Sequence, residues 1–464
     1  MLAVLRNTTY RRLFSAQVVA LLGTGLLTVA LGLLAFDIAG SNAGAVLGTA
    51  LTIKMLAYVG FAPVVNALVA RLPRKPVLIG ADLVRAGMAL SLPFITEAWQ
   101  IYAVIFLLQS ASATFTPTFQ ALIPSVLKEE QDYTRALSLS RLAYDLEALA
   151  SPAVAALLLT QVSYNNLFLG TVAGFLLSAG LVAVTVLPKP DAAPPAAGSL
   201  WQRTTLGVLL FWRDGRLRPL LALNMVAAAP TALVLVNSVV YVREVLRRPE
   251  TDLALVLACF GVGSMLVALS APGLLARFGD RAVMLAGAGL VPLVLAGATA
   301  VTFLATSRAG PGQDWWWLPA LWFLLGAGIS TILTPSARLL REASTEQTRP
   351  YVFTAQFSLS HACYIVAYPL AGWLGAAAGL GVAATALTIV AALGTAGAFA
   401  AWPGQTGGAG HTGAGHTGAG HTGAGHTGAG RAGARQIGTG NTGAGNAAEE
   451  DHSAGQRTGR GRDG

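Results

Sequence analysis

Residues 13–36, LFSAQVVALLGTGLLTVALGLLAF, hold no charged side chain. Their apolar positions follow neither the two-residue alternation of a half-buried strand nor the stripe of a helix lying on a soluble core. The run is apolar on every side, and roughly 20 such residues cross the hydrocarbon core of a bilayer as a helix. Comparable runs recur over about 43–69, 76–95, 99–122, 137–160, 166–187, 218–242, 252–276, 282–305, 316–338, 353–376 and 379–402. In lipid every backbone group must bond within its own element, which leaves helices and closed barrels. Continuous rather than alternating apolarity selects the helix. The pattern predicts an all-α polytopic membrane protein with twelve transmembrane helices.

Composition agrees with that pattern. Of the 464 residues 54% are hydrophobic and only 11% are charged, against roughly 25% charged in a soluble domain, and the mean hydropathy is +0.61. The first run is too long for a secretory signal, and no small-residue cleavage site leads from it into a soluble domain. Cys259 and Cys363 both fall inside predicted spans, so they imply no disulfide framework. A sequence pI near 9.9 would suit nucleic-acid binding, but the basic residues sit in short loops between spans, so no nucleic-acid partner is expected. Arginine and lysine crowd one set of loops, while the other set holds Arg243, Arg247, Arg248 and Arg308. The positive-inside bias then puts both termini in the cytoplasm and the Trp315-Trp316-Trp317 run at the outer interface.

The longest inner loop divides the spans six and six. It opens on PKPDAAPPAAG (188–198), which cannot fold, and continues as LWQRTTLGVLLFW (200–212), which suits a helix lying in the membrane surface. The expected organisation is a six-helix half over 1–187, a cytoplasmic linker over 188–217, a second six-helix half over 218–402 and a disordered Gly/His-rich tail over 403–464. The halves repeat one another. ATFTPTFQALIP (113–124) matches STILTPSARLLR (330–341), and Ser138-Leu139-Ser140-Arg141-Leu142-Ala143-Tyr144 matches Ser358-Leu359-Ser360-His361-Ala362-Cys363-Tyr364, at nearly equal offsets. Two homologous halves with a site between them near the midplane are the plan of a rocking secondary transporter.

With two six-helix halves in place, the sequence resembles the major facilitator superfamily. The loop after the second span, Asn66-Ala67-Leu68-Val69-Ala70-Arg71-Leu72-Pro73-Arg74-Lys75, keeps the basic residues of that family's signature, but asparagine replaces its glycine and alanine its aspartate. The second copy, Gly273-Leu274-Leu275-Ala276-Arg277-Phe278-Gly279-Asp280-Arg281, keeps the glycine and again reads Ala-Arg. The family's acid latches one conformation, so its replacement questions the latch rather than the fold. Tyr10-Arg11-Arg12-Leu13-Phe14-Ser15-Ala16-Gln17, LLAFDIAG (33–40), TALTIKMLAYVGFAP (49–63) and DYTRALSLSRLAYDLEALASPA (132–153) are similar to the superfamily's nickel-resistance exporters. That resemblance implies export of Ni²⁺, with Co²⁺ as a second cargo, by proton antiport across a bacterial cytoplasmic membrane. The metal is then substrate, no cofactor is expected, and the transporter is expected to act as a monomer.

Ionisable residues inside spans mark ion or substrate pathways. In the fifth span Arg141 and Asp145 are four apart and can pair, while Glu147 faces nearly the opposite side; Asp145 or Glu147 could exchange a proton for cargo, or all three could be structural. Lys54 is a cation in the second span that calls for an acid or a coupling role. Asp82 and Arg85, three apart in the third, read mainly as a structural pair. His361, with the imidazole that suits nickel, takes the repeat position that Arg141 holds in the first half; Cys363 lies on another face. In the tail His411, His416, His421 and His426 recur every five residues among glycines, either as metal-capturing imidazoles or as the product of repeat slippage. No GxxxxGK[ST] phosphate loop is present and no nucleophile–base pair, so no enzyme is expected. Beside the nickel reading stand an exporter of an organic substrate, such as a drug or siderophore, and a membrane metal buffer in which only the tail acts.

Overall fold

The computed structural model describes residues 2–61, 72–127, 129–187, 208–215, 217–307, 315–345 and 348–402, among which every regular element is a helix. α1 spans Thr8–Ala39 and starts at Asn7, whose side chain accepts from the Tyr10 backbone N–H at 3.0 Å. α2, Ala43–Leu56, passes into a π-helical turn at Ala57–Phe61. α3 (Arg74–Ser91), α4 (Ala98–Val126), α5 (Glu130–Leu159) and α6 (Tyr164–Ala183) complete the first half. α4 opens on a capping box in which the Glu97 and Gln100 side chains each serve the other's backbone. In the second half α7, Arg218–Val240, continues into a π turn at Tyr241–Val245.

The helical stretch Glu250–Ser307 is two helices, α8 over 250–278 and α9 over 280–307. It breaks at Gly279, where φ of 76° and ψ of 162° leave the helical region, a conformation that glycine adopts without a Cβ clash. α10 (Trp317–Glu342), α11 (Arg349–Ala378) and α12 (Leu380–Ala401) follow, with Gly379 at φ 93° making the turn between the last two. Twelve crossings put the start of α1 and the end of α12 on one face, the near face; α2 starts and α11 ends at the far face. Among the described residues eight stretches are apolar and long enough to cross a membrane, and two of these, 8–60 and 250–304, contain two crossings each. α5 and α11 fall short of that apolarity because both carry serines, tyrosines and ionisable side chains.

Polarity is turned inside out relative to a soluble protein. Phe94 is 79% exposed and Leu293 72%, whereas Gln17, Gln109, Asn224, Asn237 and Thr302 are buried. Helices in lipid gain nothing from burying leucine against leucine, so close approach depends on small residues. A Cβ at Gly263 of α8 would lie 2.0 Å from the Phe323 carbonyl oxygen of α10, and one at Gly326 would lie 2.0 Å from that of Phe260. Gly23 of α1 and Gly174 of α6 abut in the same way, a Cβ on Gly174 falling 3.2 Å from the Gly23 Cα.

Two expectations fall wholly or partly outside the described residues. Of the predicted surface helix over 200–212, residues 208–212 are helical and 200–207 lie outside. The tail over 403–464, with His411, His416, His421 and His426, also lies outside, as does Arg71.

Candidate functional site

Polar side chains gather at mid-depth where α2 and α5 of the first half face α11 of the second. Counting 1.5 Å per residue from the far face, Lys54 stands about 16 Å along α2 and Glu147 about 18 Å along α5. Lys54 Nζ lies 5.9 Å from the centroid of the Tyr58 ring, one helical turn further on. The Tyr58 hydroxyl donates to Gln109 Oε1 at 3.1 Å, and its ring meets His361 of α11 edge-on at 5.8 Å. Lys54 is within electrostatic reach of both Glu147 and His361, and Glu147 within reach of Tyr58. Among the described residues neither Lys54 nor Glu147 has an ion-pair partner within 4.0 Å. α1 closes on this face of α5: a Cβ at Gly25 would sit 2.9 Å from Glu147 Oε1 and 2.0 Å from Ser151 Cβ.

His361 is embedded in rings. Phe357 stacks on it at 4.0 Å, Tyr364 lies 6.4 Å away, and Tyr364 in turn stacks on Tyr368 at 5.2 Å. His361 Nδ1 sits 2.7 Å from the Phe357 carbonyl oxygen. A carbonyl only accepts, so Nδ1 carries the proton and Nε2 of the neutral ring keeps its lone pair. On the α7 side, Asn224 and Gln356 exchange two amide hydrogen bonds, at 3.2 and 2.8 Å.

The other in-span charges are placed differently. Asp82 and Arg85 form a buried ion pair within α3, and the Arg85 guanidinium is sandwiched between Phe115 at 4.3 Å and Phe175 at 4.5 Å. The side chains of Arg141 and Asp145 lie outside the described residues. Cys363 is a free thiol packed against the apolar core. Among the described residues no three His, Cys, Asp or Glu side chains converge, so His361 has no ligand set around it for a divalent transition ion, which takes several N, O or S donors. A groove of about 440 Å³ between α3 and α4 has an apolar lining that includes the exposed Leu72, Val84 and Leu107, and so belongs to the lipid flank.

The loop motif behaves as helix capping on one side and as an ion-pair link on the other. In the first half Lys75 donates to the Thr185 carbonyl at 2.9 Å and Arg12 to that of Val184 at 3.0 Å, both just past the C-terminus of α6, where cations suit the helix dipole. Arg74 begins α3. In the second half Arg277 stacks on Phe278 at 5.1 Å, Arg281 opens α9, and Asp280 lies 3.6 Å from Arg338 of α10, which also binds Glu342 at 2.8 Å. The second half thus carries, three positions beyond Arg277, an acid that pairs with a neighbouring helix.

At the far face the halves are clasped. A Cβ on Gly48 of α2 would lie 2.7 Å from the Tyr368 carbonyl oxygen and 3.0 Å from the Gly372 Cα of α11, and one on Gly372 2.3 Å from the Gly44 carbonyl oxygen. Trp373 Nε1 donates to Thr49 Oγ1 at 2.9 Å across the same contact. Asn237 of α7 donates to the Ala371 carbonyl at 3.1 Å, while its Oδ1 is buried beside Gly44 with no partner among the described residues. Arg243 lies 5.7 Å over the Phe36 ring, and Asp37 accepts from the Tyr164 hydroxyl. Tyr58, Phe357 and Tyr368 were not singled out from the sequence; Tyr58 alone had a signal, standing one turn from the in-span Lys54.

The comparisons with known proteins fit this geometry. Residues 13–247, half of the chain, match the model of the Major Facilitator Superfamily. Macrolide efflux protein A of Streptococcus pyogenes is 31% identical over 182 residues, 38% of this chain and 44% of that protein. Its counterpart in Enterococcus faecalis is 32% identical over 153 residues, 31% of this chain and 47% of that protein. The match therefore spans less than half the length of either curated relative, and it does not support the expected likeness to nickel exporters. Among solved structures the nucleoside transporter NupG superposes with a TM-score of 0.67 at 16% identity, covering 85% of this chain and 98% of that one. A bacterial homologue of the human lysosomal transporter Spinster, in an inward-facing and unoccupied conformation, gives 0.65 at 11% identity, with 86% and 97% covered. At those identities the structures show the shared fold alone, whereas the matched family model shows kinship: the chain belongs to the Major Facilitator Superfamily and is an integral membrane transporter.

Proposed function

We propose that the transporter exports amphipathic organic molecules of the macrolide class, exchanging them for protons. The observation that carries this reading is the cluster of aromatic and polar side chains at mid-depth between the halves. Tyr58, Phe357 and Tyr364 offer ring faces and edges to an apolar body, and Glu147, within electrostatic reach of Tyr58, has no ion-pair partner within 4.0 Å among the described residues. Apolar and aromatic walls with a few placed polar groups suit organic ligands. The curated relatives named for macrolide efflux support the same cargo class. Nickel draws no support from the described residues, where His361 has rings rather than ligands for neighbours. Positive-inside loops argue that the near face is cytoplasmic, so with the far face clasped the mid-depth site loads from inside.

Accumulation assays in a drug-sensitive bacterial host test the proposal. Cells expressing the chain hold severalfold less labelled macrolide than control cells; an uncoupler or Glu147→Gln abolishes the difference, and nickel content is unchanged. Equal macrolide content with lowered nickel would overturn the reading in favour of metal export. Nickel tolerance lost on deleting residues 403–464 alone would favour a metal buffer.

A further inference from the structure

Export of an amphipathic molecule explains the aromatic lining but not Lys54. Ionised lysine is rare inside a membrane protein and pairs with an acid or lines a pathway. Lys54 is nevertheless held within electrostatic reach of Glu147, and among the described residues it closes no ion pair. A closed bidentate pair would resist opening; a loose one leaves the carboxylate accessible to another cation. Also within electrostatic reach of the lysine is His361, whose Nδ1 is committed to the Phe357 carbonyl and whose Nε2 has no partner among the described residues. The Tyr58 ring bridges the two, 5.9 Å from Lys54 Nζ and 5.8 Å from the His361 centroid, and ring faces hold cations.

Resting on the organic-cargo reading, we propose that Lys54 is the specificity-determining residue of this site. Its ammonium stands in, beside Glu147, for the ammonium of a basic amphipathic cargo, which binds by displacing Lys54 toward His361 Nε2. The chemistry of each partner fits. Glu147 accepts hydrogen bonds from either ammonium. Lys54 has three N–H donors on a flexible four-carbon stem, and Nε2 of the neutral imidazole accepts one of them. Because Lys54 belongs to α2 and His361 to α11, the displacement draws together the two helices that already meet at Gly48 and Gly372. Cargo binding and the contact between the halves are then one event. Uncharged cargo leaves Lys54 beside Glu147 and gains no such link.

The test is binding to the full chain in lipid nanodiscs, with two probes: a macrolide bearing a dimethylamino sugar, and the same macrolide with that sugar removed. The quantity read is the affinity ratio of charged over uncharged probe. Lys54→Met removes the internal competitor and raises the ratio about tenfold, equivalent to about 1.4 kcal/mol. Glu147→Gln lowers it by a similar factor, and Glu147→Asp, which keeps the charge, holds it near the wild-type value. That last variant separates loss of charge from loss of fold. A ratio that Lys54→Met leaves unchanged or lowers overturns the role of Lys54 while the organic-cargo reading stands. Failure of the wild-type protein to bind either probe overturns both.

Discussion

At the residue scale, the buried charges divide into two kinds by what surrounds them. Asp82 and Arg85 are closed upon each other between aromatic rings, with Asp82 fully buried. Taking two ions out of water costs several kcal/mol each, which mutual attraction and good geometry must offset. Removing one partner therefore hurts more than removing both. Asp82→Ala should destabilise the protein by about 3–5 kcal/mol, seen as a lowered Tm and early aggregation in detergent, and Asp82→Ala with Arg85→Leu should recover part of the loss. A single variant as stable as wild type would contradict the structural role. Lys54 and Glu147 are the other kind, close enough to interact and not closed. The sequence marked both as unusual charges in spans. It did not show that they lie within electrostatic reach of each other, because they lie on different helices and helix packing, not local pattern, sets their separation. His361 stood out in the same way, but its aromatic neighbours point away from the metal role that imidazole alone suggests.

At the element scale, small residues decide which helices touch. The α2–α11 contact at Gly44, Gly48 and Gly372 clasps the far face, and Asn237 beside it has one bonded and one unpartnered amide atom. A buried unpaired acceptor costs about 1–3 kcal/mol, and Asn237 Oδ1, without a partner among the described residues, opposes the clasp by that order. Gly48→Leu places a side chain where the Tyr368 carbonyl lies, and should shift the population toward an open far face. Spin labels at Ser41 and Ala378, in a Cys259→Ser and Cys363→Ser background, should then report a longer distance distribution; an unchanged distribution would contradict the clasp. The apolar runs outlined all twelve crossings in the sequence, although α5 and α11 are the most polar of them, and the internal repeat related the two halves. The bend at Gly279 also had a signal, a Gly-Asp-Arg run between two apolar stretches. The pairing of Asp280 with Arg338 did not, since it joins two helices through space.

At the scale of the whole molecule, two six-helix halves with polar and aromatic side chains gathered between them at mid-depth are the plan of a transporter, and the family match agrees. That architecture was legible because each span and both halves leave a periodic trace in the chain. The cargo was less so. The likeness to nickel exporters and the histidine-bearing tail pointed to metal, whereas the chemistry of the mid-depth cluster is spread over residues that no local motif links. The coupling prediction belongs at this scale too. If Glu147 carries the proton that exchanges for cargo, Glu147→Gln should abolish gradient-driven transport while leaving the fold intact.

Transport into inside-out membrane vesicles tests the central claim most directly, with labelled macrolide and labelled nickel offered in parallel under an imposed proton gradient. The account predicts macrolide accumulation that collapses with the gradient and is absent in Glu147→Gln vesicles, with nickel at background. Gradient-driven nickel accumulation without macrolide would contradict it.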